Sequence, residues 1–238
     1  MSVPLIRRCV AEFIGTAFLL AAVVGSGIAA VRLSPGQLGL ELLENSLITG
    51  AALTALIVAL QPISAAFNPV VTLVERALGT MTTGHASALI SAQITGAAIG
   101  SMVANLMFHL PAVTVATHQR SGSGLWLGEV VATLGLVLVI FGTSRSGRTS
   151  LVPFAVGAYI SAAYWFTSST SFANPAVTIG RTLSNTFAGI APSSVAMFVV
   201  MQLLGGFLGY AVIRALYPSA GRPPVADLPA TAPTEEYA

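Results

Sequence analysis

The sequence predicts an all-α membrane protein: six transmembrane helices plus two re-entrant half-helices, laid out as an inverted repeat. Three observations predict it. First, 55% of the 238 residues are hydrophobic and only 8% are charged, with a mean hydropathy of +0.84. A soluble domain carries about 25% charged residues, so this chain lacks the polar surface to cover itself in water. Second, six apolar runs approach the roughly 20 residues that a helix needs to cross a bilayer. Third, Asn68-Pro69-Val70 is nearly repeated as Asn174-Pro175-Ala176, each box closing a small-residue turn and opening a short apolar run.

The remaining composition excludes more than it suggests. All ten basic residues are Arg, the net charge is +2 and the pI is about 9.0. The arginines are scattered over loops, so no nucleic-acid footprint is present. A single cysteine, Cys9, excludes an internal disulfide; near the start of an apolar helix it reads as packing. No His/carboxylate cluster or nucleophile constellation appears, so neither an enzyme, a metal site nor a cofactor is expected. His85, His109 and His118 fall at span ends or in a loop.

In chain order, the first span runs from Cys9 to Val31, broken only by Glu12. It is too long for a cleaved signal segment and is expected to be retained. A polar link with Arg32, Pro35, Glu41 and Glu44 leads to the second span, Leu47 to about Ile63. The first short helix follows Asn68 and ends near Gly79. The third span is Ala86 to Leu110, stopped by Pro111. A Ser/Gly/His loop precedes the fourth, Leu125 to Phe141, and a basic hinge from Ser144 to Ser150 precedes the fifth, Leu151 to Phe166. A Ser/Thr-rich turn then reaches the second box and its short helix. Ser194 to Tyr217 is the sixth span. Residues 1–217 form one membrane domain with repeats at about 8–110 and 125–217, and the Pro/Ala-rich, acidic 218–238 reads as a disordered tail.

The halves correspond position by position. Glu12 matches Glu129, the boxes match, and Gln93 matches Gln202, with box-to-Gln spacings of 93 − 68 = 25 and 202 − 174 = 28. Three spans per half is an odd number, so the second copy enters the membrane from the opposite side, placing a site near the midplane. With both termini inside, Arg7, Arg8, Arg76, Arg145, Arg148, Arg214 and Arg222 are cytoplasmic, against Arg32, Arg120 and Arg181 outside. This agrees with the positive-inside rule.

Each box carries its own chemistry. Asn is a preferred N-cap and Pro is favoured at the first helical position. A half-helix too short to span survives at membrane depth only beside protein or a wet cavity. Two of them entering from opposite faces bring their partly positive N-termini together. Each Asn oxygen then accepts from its own helix, fixing the NH₂ as a donor into the cavity. Cations are disfavoured there, and acceptor-rich neutral molecules are stabilised. Glu12 and Glu129 are expected to accept hydrogen bonds from the re-entrant loops; a carboxylate at the water interface is the competing reading. Gly96 with Gly100, and Gly205 with Gly209, suit close helix packing.

Two Asn-Pro boxes, Glu in spans one and four, and Gln-xx-Gly in spans three and six together resemble the aquaporin (major intrinsic protein) family over residues 8–217. The resemblance implies an hourglass bundle, one pore per subunit, a homotetramer, and passive flow of water or small uncharged solutes. It implies a multi-pass protein of the plasma (bacterial inner) membrane with cytoplasmic termini.

The departures from that family bear on selectivity. Val70 stands where Ala is usual, and the preceding turn is one residue short. Val177 follows the second box where the family normally places an Arg at the outer constriction. By position the other constriction residues are Thr49 (with Ile48 as neighbour), Ala162 and Ser171. Such a ring has no aromatic wall and no Arg, so it is expected to be wider and less polar than a water-selective one. Arg181, one turn beyond Val177, either replaces the charge in the vestibule or is a headgroup-facing or loop-bonding arginine. The segment from Phe172 to Ile190 further resembles bacterial aquaglyceroporin-type channels associated with arsenic-resistance genes. It implies arsenite, as neutral As(OH)₃, methylated arsenicals and glycerol-type polyols as solutes. The alternatives are a water-selective channel and an active secondary transporter, for which Glu12 and Glu129 are the candidate coupling carboxylates.

Overall fold

A computed structural model describes residues 3–218, among which all regular structure is helical. The elements are α1 (Leu5–Leu33), α2 (Leu38–Leu60), α3 (Pro69–Ala77), α4 (Thr83–Met107), α5 (Ser123–Arg145), α6 (Val152–Phe166), α7 (Pro175–Gly180) and α8 (Pro192–Leu216). Single 3₁₀ turns, Thr149–Leu151 and Arg181–Leu183, precede α6 and follow α7. Six helical stretches are long and apolar enough to cross a membrane, and α3 and α7 are the two short ones. The expected disordered tail, with Arg222, lies outside the described residues.

Most spans run further than hydropathy alone suggests. Helix α1 has 29 residues, about 44 Å at 1.5 Å per residue, so it overreaches the hydrocarbon core. The clearest difference is in α2, where the expected polar link is helical from Leu38 onward. Its two carboxylates serve the helix start: Glu41 accepts from Gly36 N at 3.0 Å and Glu44 from Ser34 Oγ at 2.8 Å. Glu41, in the first turn, also interacts favourably with the helix dipole.

The half-helices begin as their residue types require. Asn68 and Asn174 are extended N-caps, with φ −152° and −158°, and Pro opens each helix. Helix pairs α1 with α4, and α5 with α8, pack closely through the glycines. A methyl at Gly96 or Gly100 would run into the backbone carbonyl of Phe13 or Ala17, and one at Gly205 would sit 2.5 Å from Val130 O. At Gly209 the obstacle is the Val137 side chain at 2.7 Å. Between α2 and α6, Gly50 and Gly157 face one another; a Cβ on either would meet the other's carbonyl at 2.6 Å. These contacts let backbones approach as membrane bundles require.

The outward faces carry exposed Phe18, Val58, Phe154, Trp165 and Phe207, side chains that suit lipid rather than water. On the side away from the termini, residues 112–122 fold back across the second repeat. Thr114 N and Ala116 N donate to Leu183 O and Thr182 O at 3.0 and 2.9 Å, and Ala191 N donates to His118 O at 2.8 Å. Asn105 on α4 ties the start of this cover to the second repeat, donating to Ala112 O and Leu183 O at 3.0 Å each.

Candidate pore

The site is built outward from the two buried glutamates. Glu12 accepts from Ser64 Oγ, Ala66 N (2.9 Å), Phe67 N (2.7 Å) and Gln93 Nε2 (2.8 Å). Glu129 accepts from Phe172 N (3.0 Å), Ala173 N (2.9 Å) and Gln202 Nε2 (2.6 Å). Each glutamine also donates to a threonine of the half-helix, Gln93 to Thr72 at 2.9 Å and Gln202 to Thr178 at 2.8 Å. A carboxylate deep in a bundle is tolerable only when so many donors converge on it. Neither glutamate lies at a water interface, for both are fully buried.

These bonds hold a strained backbone. Phe67 and Ala173, each just before its box, sit at φ 48° and 47°, a region costing a non-glycine residue roughly 1–3 kcal/mol. The kinked residue passes the restraint across the midplane. Phe67, held at its N–H by Glu12, offers its carbonyl to Asn174 Nδ2 at 2.7 Å. Ala173, held by Glu129, offers its carbonyl to Asn68 Nδ2 at 2.8 Å. Each Asn oxygen meanwhile accepts from its own helix: Val70 N at 2.9 Å for Asn68, and Ala176 N at 3.0 Å with Val177 N at 3.3 Å for Asn174. One N–H of each amide is thus spent on the opposite loop, which the sequence did not foretell, and one remains per Asn.

Both asparagines line a cavity of about 470 Å³ that runs from Val3 and Arg8 on the termini side to Arg181 on the other. Most of its wall is apolar, with Leu19, Leu53, Leu136, Val156, Val71 and Val177 among the lining residues. Pro69, Val70, Pro175 and Ala176 are buried behind it and are not in the wall. Thr49, Ser171 and Val177 line the cavity, while Ile48 is half exposed on another face of α2. The Ser171 hydroxyl is buried and has no hydrogen-bond partner among the described residues.

The expected ring needs one correction. Ala162 is exposed on the outside of α6, and the cavity is lined instead by Ile160 and Tyr164. Two residues turn a helix by about 200°, so an offset of two exchanges the inner face for the outer. The outer mouth consequently has an aromatic wall, and the Tyr164 hydroxyl lies 3.2 Å from Thr49 Oγ1. It also has an arginine. Arg181, only 2% exposed, lines the cavity, donates from Nε to Ala188 O, and stacks on Phe172 with its guanidinium carbon 3.5 Å from the ring centre. It does not face headgroups.

Arg120 flanks the same ring at 5.0 Å and donates to Gly189 O at 3.1 Å. On the loop above, partial burial, with Arg120 and Arg181 adding repulsion, pushes the His118 imidazole below its usual range. The outer mouth is therefore electropositive. Tyr164 escaped the sequence reading because α6 carries no box to fix its register. Glu75, which also lines the cavity, escaped because a lone charge on a short helix reads as solvated. Its signal was spacing: it lies seven residues after Asn68, as Arg181 lies seven after Asn174.

Two half-helices that meet cap to cap beside a cavity with mouths at both faces define a membrane channel of the inverted-repeat class. A model of the major intrinsic protein family matches residues 1–171 and 154–236, and the chain belongs to that family. Its members are channels rather than enzymes, and this chain is a passive multi-pass membrane channel. Aquaglyceroporin AqpS of Rhizobium meliloti (strain 1021) is 47% identical over 231 residues, covering 96% of this chain and 98% of its own. Aquaporin NIP1-1 of Zea mays is 31% identical over 229 residues, covering 90% and 77%. Among solved structures, the aquaglyceroporin from Plasmodium falciparum superposes with a TM-score of 0.70 over 91% of this chain and 99% of that one. At 19% identity that likeness concerns the fold.

Proposed function

We propose that the channel conducts small uncharged hydroxylated solutes, glycerol-type polyols and arsenite as As(OH)₃, together with water. The observation that carries this reading is the outer mouth. Val177 leaves an apolar surface where the family usually has a constriction Arg, and Arg181 supplies a guanidinium one turn further out along the same helix face. A neutral triol finds donors at Arg181, Tyr164 and the two Asn amides, and apolar wall between them. Cations meet the positive outer mouth and the half-helix N-termini. The similarity to aquaglyceroporin AqpS supports a solute wider than water.

Of the Arg residues described, Arg7, Arg8, Arg76, Arg145, Arg148 and Arg214 favour cytoplasmic termini over Arg32, Arg120 and Arg181 on the other side. We place the channel in a bacterial inner membrane as a homotetramer with one pore per subunit, as the family resemblance implies. A second reading, a water-selective pore, is favoured by one observation: Tyr164 paired to Thr49 narrows the mouth more than Ala162 would.

Stopped-flow light scattering on proteoliposomes separates the two. Under water, glycerol and arsenite gradients, wild type is expected to admit both solutes faster than protein-free vesicles, and Val177→Arg to slow the solutes more than water. Fast water with no solute entry would leave the water-selective reading standing.

A further inference from the structure

Two arginines lean on one aromatic ring at the outer mouth. The guanidinium carbon of Arg181 lies 3.5 Å from the centre of the Phe172 ring, and that of Arg120 lies 5.0 Å from it. Both side chains are fastened through Nε to neighbouring carbonyls, Arg181 to Ala188 O and Arg120 to Gly189 O. The terminal nitrogens of both take no acceptor among the described residues. Arg181 is buried and lines the cavity, and Arg120 stands behind the wall on the covering loop.

The acids on this side are committed elsewhere. Glu129 accepts from Phe172 N, Ala173 N and Gln202 Nε2, and it is the only acidic residue between Glu75 and the end of the described chain. Glu41 and Glu44 accept from Gly36 N and Ser34 Oγ at the start of α2. Two guanidiniums therefore share one carboxylate whose oxygens are already spent, and a buried cation so poorly matched attracts an anion.

The geometry favours an oxyanion over a halide. A guanidinium holds its N–H groups in a planar fork that fits two oxygens of one phosphate. Thr49 and Tyr164 line the same cavity with their hydroxyls 3.2 Å apart. One proton makes the bond between them, and the other is left for an oxygen acceptor.

We propose that Arg181 holds a phosphate-type oxyanion in the outer mouth, that Arg120 adds attraction from behind, and that the bound anion shuts out neutral solutes. The effect on flux rests on the channel reading above. Most of the remaining wall is apolar, with Leu53, Leu136 and Val156 in it. An anion leaving Arg181 would shed its water there at high cost, so it blocks rather than permeates.

The test has two arms, each run against chloride at equal ionic strength. Calorimetric titration of inorganic phosphate into the detergent-solubilised channel reads binding, and stopped-flow glycerol entry into proteoliposomes reads the block. Wild type is expected to bind phosphate with a Kd of about 1 mM and to admit glycerol at half speed near that concentration. Arg181→Gln is expected to bind at least about tenfold more weakly, through loss of its charge-assisted hydrogen bonds. Arg120→Gln, which leaves the cavity wall intact, is expected to weaken binding about fivefold, and it decides the matter should Arg181→Gln not fold. Chloride that binds and slows glycerol as phosphate does would overturn the oxyanion site. So would binding indifferent to both substitutions, or binding that leaves glycerol entry unchanged. Wild type that binds phosphate yet admits no glycerol in chloride would refute the channel reading alone, since calorimetry reads the site independently.

Discussion

In the first repeat Glu12 holds Phe67 and Gln93 holds Thr72; in the second Glu129 holds Ala173 and Gln202 holds Thr178. The scaffolds are copies down to the left-handed residue before each box and the carbonyl it lends to the opposite asparagine. The pore-facing groups are not copies. The termini mouth presents Glu75, while the outer mouth presents Arg181, Tyr164 and Ser171. The outer loop is also more contorted, with Thr170 and Ser171 at φ 60° and 49° in addition to Ala173. The lesson is a division of labour. Backbone restraint at the midplane admits little variation, because each bond depends on one from the other half. The mouths carry no such reciprocal bonds among the described residues and are free to differ, and the proposed selectivity is placed there.

The largest expected effect would break the scaffold symmetry. Glu129→Leu strands Phe172 N, Ala173 N and the Gln202 amide, each buried group costing about 1–3 kcal/mol when unpaired. A loss of 3 kcal/mol or more is expected, read as a collapse of monodisperse protein in detergent and of Tm. Glu12→Leu is expected to match it. A large effect from one and none from the other would refute equivalence of the two repeats.

A smaller effect sharpens the same comparison at the glycines. Gly100→Leu and Gly205→Leu each force a side chain into a facing backbone, of α1 and α5 respectively. Overpacking of this kind costs about 1–3 kcal/mol, so similar falls in Tm are expected. The smallest effect lies at the outer mouth. Tyr164→Phe removes the bond to Thr49, worth about 1 kcal/mol net, and a modest rise in the glycerol-to-water permeability ratio is expected.

How much of this was legible follows from what each residue must satisfy. The boxes, both glutamates and both glutamines stand out because buried polar groups need partners, and partners at fixed positions leave the same residue types at matching places in each half. The glycine pairs stand out for a comparable steric reason. Tyr164 does not, because an apolar helix reads alike on all sides and its rotation about its axis leaves no trace in hydropathy. The start of α2 was hidden because Glu41 and Glu44 resemble a link until Ser34 and Gly36 are seen beside them. Glu75 was visible only through its register with Arg181.

The most direct measurement is the entry of glycerol and water into the same wild-type proteoliposomes, with the final internal glycerol level read in the presence and absence of an uncoupler. The account predicts glycerol entry well above that of protein-free vesicles. It also predicts a final level equal to the outside concentration and indifferent to the uncoupler. Rapid water flow without glycerol entry, or glycerol accumulated above the outside level and lost on uncoupling, would contradict it.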